Sequence, residues 1–216
     1  MIIAIDGPSG AGKSTIAKLL SKELGVEYID TGAMYRAIAL KVLREGIDTD
    51  DAARMASFLD STDVDLDGAK VLLDADDISG YIRTEEVSME ASRVSQIPAV
   101  RQKLVALQRD IGTRKSVVMD GRDIGSNVFP GAEYKFFITA SPEVRTERRR
   151  KELAGRGEDV TFEAVLADIE KRDWDDSHRE LNPLVQVEDA ILVETDDLGI
   201  EEVLEEVLGY INNYLQ

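Results

Sequence analysis

Residues 7–14 read GPSGAGKS, which sets glycines, a lysine and a hydroxyl in the spacing G-x-x-x-x-G-K-S. Each residue type answers a need of phosphate binding. Glycines let consecutive backbone N–H groups turn inward on a phosphate. Lys13 is long enough to reach the β and γ phosphates, and Ser14 offers a hydroxyl to Mg²⁺. The helix that must follow adds the positive end of its dipole. The pattern carries this chemistry only if a strand precedes it and a helix follows it. Residues 2–6 are a short apolar run of buried-strand character, and residues 14–24 place Ile16, Leu19, Leu20 and Leu24 on one helical face before Gly25.

The remaining elements continue that rhythm. Residues 26–30 read as a second strand, and a helix runs from Thr31 to about Arg44 with Gly46 as its stop. Strand, helix, strand within some thirty residues is a βαβ unit and implies a parallel sheet. Further strands are predicted at SVVMD (116–120), YKFFIT (134–139) and AILVET (190–195). Helices are predicted near 50–59, 84–95, 98–115, 161–178 and 200–215, with one opened by Ser141-Pro142. Residues 64–82 break into short alternating runs around an Asp67-Gly68 turn, the pattern of a small antiparallel meander.

The expected fold is therefore α/β: a P-loop three-layer fold with a five-stranded parallel sheet flanked by helices. Residues 1–30, 96–146 and 159–216 form its core. Residues 31–95 form a small α+β insert containing the meander, and residues 147–158 form an arginine-rich lid.

Composition narrows the functions. The chain has 216 residues, 43% hydrophobic and 32% charged, as a globular domain with an ample core does. Its formal charge of −17 disfavours nucleic acid and anionic lipid as partners, because phosphate neutralisation needs surplus Lys and Arg. It has no cysteine, hence no disulfide or thiolate chemistry. The start of the chain lacks the pattern of a signal peptide and no apolar run approaches twenty residues, so a cytoplasmic, non-membrane protein is expected. Residues 48–77 hold ten Asp, one Arg and one Lys, so any anion site must be a local pocket elsewhere.

The basic residues crowd into RTERRRKELAGRGE (145–158). One reading is a solvated helix face laced with Glu147 and Glu152. The other is a segment that meets something highly anionic. A guanine-reading N-K-x-D segment is missing, which turns the reading away from GTPase switches. A small kinase that moves the γ-phosphate onto a second bound molecule fits better. The chain has a single histidine, His178, read as structural, and no obvious catalytic base. A hydroxyl acceptor wants a base. A phosphate acceptor is mostly dianionic already, with a second pKa of about 6. Its difficulty is repulsion between anions, and planar guanidinium groups are the remedy. Arginines outnumber lysines 16 to 10.

GPSGAGKST, DTGAMYR, ASRVSQIPAVR, DGRDIG, the arginine segment and RDWDDSHR, in that order, resemble the bacterial cytidylate kinases over nearly the whole chain. The resemblance implies transfer of the γ-phosphate of ATP to CMP or dCMP, with Mg²⁺ expected beside ATP; nothing in the sequence suggests an obligate oligomer, so a monomer is expected. It implies that Gly7, Pro8, Ser9, Gly10, Ala11, Gly12, Lys13, Ser14 and Thr15 hold the ATP phosphates. Thr31 and Arg36 would meet the CMP phosphate, with Tyr35 lining the site; many relatives carry Asp-Ser-Gly where Asp30-Thr31-Gly32 stands here, and the hydroxyl is kept. Ser92, Arg101 and Asp123 would read cytosine. Arg122, Arg172 and Arg179 would grip phosphate or ribose, and Asp176 the ribose hydroxyls. Lys13, Arg122, Arg149 and Arg156 would act on the phosphoryl group in flight, while Arg150 and Lys151 would either join them or be solvated. Ser14 would bind Mg²⁺; Asp120 would hold the metal's water shell or orient the P-loop.

The base reading has a chemical rationale. Cytosine pairs an N4 donor with an N3 acceptor, which a carboxylate and an arginine satisfy; uracil reverses both. Two other readings stay open from sequence: a kinase for another small acceptor, such as UMP or shikimate, and a nucleotide-binding regulator that phosphorylates nothing.

Overall fold

A computed structural model describes residues 1–68 and 70–214 of the protein. Its packing sorts the chain into two compact units. One comprises Met1–Tyr28 with the chain from Ser116 onward, and the other Ile29–Lys115. No helix among the described residues is long and apolar enough to cross a membrane.

The first unit is built on a parallel sheet of strand order β2-β6-β1-β7-β8. Its strands are β1 (Ile2–Asp6), β2 (Glu27–Asp30), β6 (Val117–Asp120), β7 (Tyr134–Thr139) and β8 (Ile191–Glu194). β1 is central, so Ile3, Ala4 and Ile5 are fully buried, which is why the sequence there is an unbroken apolar run rather than an alternating one. Helices α1 (Lys13–Leu24) and α8 (Ile200–Tyr214) supply Ile16, Ala17, Leu20, Val203, Val207 and Ile211 to the core formed with Ile3, Ile5, Phe136 and Val193. α1 is bounded by left-handed glycines, Gly12 (φ 91) and Gly25 (φ 65). The register pairs Ile5 with Asp120 and Asp6 with Phe137, so β1 and β6 bring Asp6 and Asp120 to the same carboxyl edge of the sheet. Ligands of parallel α/β sheets bind beyond that edge.

After β6 the chain makes a five-residue π-helical turn, Ile124–Val128, which the sequence did not announce. α6 (Pro142–Ala154) and α7 (Phe162–His178) follow β7 and pack together around Leu153, Val165 and Ile169. Ser141 and Thr161 cap them, each side chain accepting an N–H of the first turn.

The second unit is organised by α2 (Thr31–Glu45), whose Ala33, Met34, Ala37, Ile38 and Ala39 are buried. α3 (Ala52–Asp60), α4 (Glu85–Val94) and α5 (Pro98–Arg114) belong with it. Strands β3 (Val64–Asp67), β4 (Lys70–Leu73) and β5 (Asp76–Asp77) form the expected antiparallel meander, with Val64 opposite Leu73 and Asp67 opposite Lys70. Lys41, 7% exposed, is held from α2 by Asp74 at 2.6 Å and the Ser61 carbonyl at 3.2 Å.

Candidate active site

The phosphate loop lies between β1 and α1, as its chemistry requires. Gly7 (φ 144), Gly10 (φ 79) and Gly12 (φ 91) adopt backbone that side chains rarely take. At Gly7 the restriction is also one of space, since a Cβ would stand 2.0 Å from the carbonyl oxygen of Ile138. The Gly12 carbonyl opens α1 by accepting from Thr15 and Ile16. The first N–H groups of that helix have no partner within it and carry its positive end.

Lys13 is buried and donates to the Pro8 carbonyl at 2.7 Å. Burial, with the nearby Arg122 guanidinium, lowers its ammonium from 10.5 to about 7, against the pull of Asp120, Asp176 and Asp6. Ser14 Oγ donates to Asp120 Oδ2 at 2.7 Å, and the Tyr28 hydroxyl donates to Asp120 Oδ1 at 2.8 Å.

Beyond β6 stands a cluster of arginines and carboxylates. Arg122 donates Nε to Asp176 Oδ2 at 2.6 Å. Burial opposes the Arg122 charge, but Asp176, Asp120 and Asp173 outweigh it and raise the group above its ordinary value. Arg179 Nη2 donates to Asp123 Oδ1 at 3.3 Å and lies 4.0 Å from Asp176. Asn127 Nδ2 donates to Asp123 Oδ2 at 3.0 Å. Arg122, Asp123, Asp176 and Arg179 are thus one network, whereas Arg172 pairs one turn back along α7 with Asp168 at 3.0 Å. Asp6 accepts from the N–H groups of Ile124 (2.8 Å) and Gly125 (2.7 Å).

The other five candidates for CMP lie in the second unit. Asp30 caps α2 by accepting the Ala33 N–H at 2.8 Å, and Thr31, the first helical residue, is buried beside it. Arg36 Nη2 bonds both Asp30 oxygens, at 3.2 and 3.0 Å, and Arg83 reaches Oδ2 at 3.2 Å. The Arg101 guanidinium lies 5.7 Å from the centre of the Tyr35 ring and donates to the Ser95 carbonyl at 3.2 Å. Ser95 in turn donates its hydroxyl to the Ser92 carbonyl at 2.8 Å, so Tyr35, Ser92 and Arg101 share one neighbourhood.

The arginine segment divides by partner. Arg145, 3% exposed, forks onto Asp173 (3.0 and 2.6 Å) and also bonds the Ser9 carbonyl of the phosphate loop at 3.1 Å. Arg148 bonds Thr195 through its hydroxyl (2.9 Å) and its carbonyl (2.5 Å). These two brace the fold. Arg149 and Arg156 both pair with Glu152, and Arg150 and Lys151 both pair with Glu147. The reading of a helix face laced with Glu147 and Glu152 therefore describes its outer cations. His178 stacks on Trp174, ring centres 3.5 Å apart, and its Nδ1 lies 3.0 Å from the Trp174 carbonyl.

Sequence reasoning did not single out Asp6, Tyr28 or Asp173. Asp6 carried a signal, a carboxylate at the end of an apolar strand immediately before the phosphate loop. Tyr28 carried none, because its partner lies 92 residues away along the chain; Asp173 stands within RDWDDSHR, but nothing there names Arg145, 28 residues earlier, as its partner.

A family model described as cytidylate kinase matches residues 3–213. A cytidylate kinase of Clostridioides difficile is 50% identical over 98% of both chains. One from Caldanaerobacter subterraneus is 56% identical over 95% of this chain and 92% of its own length. Among solved structures, a Thermus thermophilus protein has a TM-score of 0.53 at 20% identity, covering 100% of this chain and 98% of its own. A Sinorhizobium meliloti gluconokinase has a TM-score of 0.52 at 15% identity, covering 98% and 91%. These two likenesses concern the fold.

Proposed function

The chain belongs to the cytidylate kinase family, a family of nucleoside monophosphate kinases that transfer the γ-phosphate of ATP to CMP, and on that premise we propose how its residues divide the work. Residues 7–15 hold the ATP phosphates, with Lys13 on the β and γ groups. Mg²⁺ suits the donor set at Ser14: a hydroxyl whose proton is given to Asp120 keeps lone pairs for a hard cation, and the carboxylate can order its water. When bound, the ion neutralises charge on the transferring phosphate.

The phosphate of CMP, or dCMP, is met by Thr31 and Arg36 with Tyr35 lining the site, and its base is read by Ser92, Arg101 and Asp123. Arg122, Arg172 and Arg179 contact its phosphate and ribose, and Asp176 its ribose hydroxyls. In functional terms, residues 31–95 act as the acceptor-binding part, and residues 147–158 as a lid that brings Arg149 and Arg156 onto the transferring group and shuts out water. No general base is needed, because the acceptor phosphate arrives ionised. The protein acts as a monomer in the cytoplasm, where its nucleotide substrates are, and its net charge of −17 turns it away from nucleic acid and anionic membrane.

The observation that carries this division is the joined network Arg122–Asp176 and Arg179–Asp123 at the carboxyl edge of the sheet. ADP formation from Mg-ATP, measured with CMP, dCMP, UMP, AMP, GMP or shikimate added singly, tests it. CMP and dCMP should stimulate strongly and UMP much less. Equal stimulation by UMP would remove the role given to Asp123 and Arg101.

A further inference from the structure

We propose that Asp6 is a positioning residue for base selection: from the end of β1 it fixes, through the N–H groups of Ile124 and Gly125, the loop that presents Arg122 and Asp123. The proposal deepens, and rests on, the reading of Asp123 as a cytosine-recognition residue.

The geometry begins with the π-helical turn. Asn127 and Val128 both donate to the Asp123 carbonyl (2.9 and 3.0 Å), and Phe129 donates to that of Ile124 (2.7 Å). Those bonds close the turn but leave the N–H groups at its start to find acceptors outside it, as at any helix N-terminus. Asp6 meets both, Oδ1 taking Ile124 and Oδ2 taking Gly125. Both carboxylate oxygens are thereby committed to backbone, so Asp6 acts through the loop and not on a substrate. One residue upstream of these two anchors is Asp123, whose carboxylate is then held by Arg179 and Asn127.

The choice of residue is informative. Asp6 is only 6% exposed, and burial pushes its carboxyl up to about 6 even though the two N–H bonds pull it down. Asparagine would fill the same space with no charge to desolvate. It would also set one acceptor and one donor against two N–H donors, losing a bond and opposing the second. The carboxylate meets a requirement for two acceptors on one rigid strand end. Its next residue in the chain is Gly7, where the phosphate loop begins. Gly125 fits closely here, since a Cβ would stand 3.4 Å from Asp6 Oδ2 and 3.2 Å from Lys135 Cδ.

The test measures kcat/KM for CMP and for UMP, with ATP binding followed separately, in Asp6→Asn, Gly125→Ala, Asp123→Asn and the double variant Asp6→Asn/Asp123→Asn. Gly125→Ala crowds the loop against Lys135, whose Cδ a Cβ would meet at 3.2 Å beside Asp6, without touching charge, and serves if Asp6→Asn does not fold. We expect the CMP-to-UMP ratio to fall about tenfold in Asp6→Asn or Gly125→Ala, with ATP affinity moved by about threefold at most, and the double variant to be no less selective than Asp123→Asn alone. If Asp123→Asn abolishes selectivity while both other variants retain it, the proposal is overturned and the role of Asp123 stands. If Asp123→Asn itself remains selective, the base reading fails and the proposal fails with it.

Discussion

Ser14 Oγ donates a 2.7 Å hydrogen bond to Asp120 Oδ2, joining the first turn of α1 to the end of β6 across 106 residues of sequence. Tyr28 holds the other Asp120 oxygen at 2.8 Å, so the carboxylate has a fixed orientation. A hydroxyl oriented in this way is ready to offer a lone pair to a cation.

Replacing that carboxylate should therefore weaken metal-dependent turnover more than it weakens the fold. Asp120→Asn is expected to lower kcat about 10–100-fold and to raise the Mg²⁺ concentration needed for half-maximal rate. Steady-state rates across a Mg²⁺ titration, alongside a thermal melt, give both quantities.

Lys13 should make ATP binding pH-dependent. Its folded value of about 7 means that the ligand-free protein carries neutral Lys13 above that pH, whereas the triphosphate favours the ammonium. ATP binding should draw in a proton, and affinity should fall above pH 7, approaching tenfold per unit. Calorimetry in buffers of different ionisation heat detects the proton; binding independent of pH from 7 to 9 would contradict it.

Asp6 predicts a stability trend. Its folded value, about 6, lies above the ordinary 3.8, so the stabilising contribution of its proton is full below the unfolded value and is lost as pH rises through about 6. The loss is of order 3 kcal/mol at most. The stability of the wild type minus that of Asp6→Asn, from urea unfolding, should decline between about pH 4 and 6.

Base selection should depend on Asp123. Asp123→Asn is expected to lower the CMP-to-UMP ratio of kcat/KM by about 5–150-fold, the effect of roughly 1–3 kcal/mol of mispaired buried groups. Competition between the two substrates in one tube reads the ratio directly.

The arginine segment should split by partner. Arg149→Ala and Arg156→Ala should each cut kcat by about 10–1,000-fold with little change in the melting temperature. Arg145→Ala should instead lower stability by roughly 1–3 kcal/mol, because it removes the buried fork onto Asp173 and the bond to the Ser9 carbonyl. Arg150→Ala, on a half-exposed pair with Glu147, should alter neither quantity much.

That split shows where sequence stops. RTERRRKELAGRGE announced a cationic helix, and α6 does place Arg145, Arg148 and Arg149 at helical spacing. Nothing in the run itself separated the two arginines that brace Asp173 and Thr195 from those that share Glu152. The π-helical turn after DGRD was equally silent, since five residues are too few to show a period, and its start is satisfied by Asp6, 118 residues earlier.

Local chemistry was legible in residue order alone: the glycine spacing that shapes the phosphate loop, the apolar runs that become strands, the caps and glycines that bound helices, and the Asp67-Gly68 turn of the meander. All of these are set by backbone sterics and side-chain periodicity within a few residues. Tertiary structure decided the rest: which carboxylate meets Ser14, which anion each arginine answers, and that Asp6 anchors Ile124 and Gly125. Those choices follow from strand order and register, with β1 laid between β6 and β7. Register is fixed by packing between segments far apart in the chain, and no local pattern encodes it.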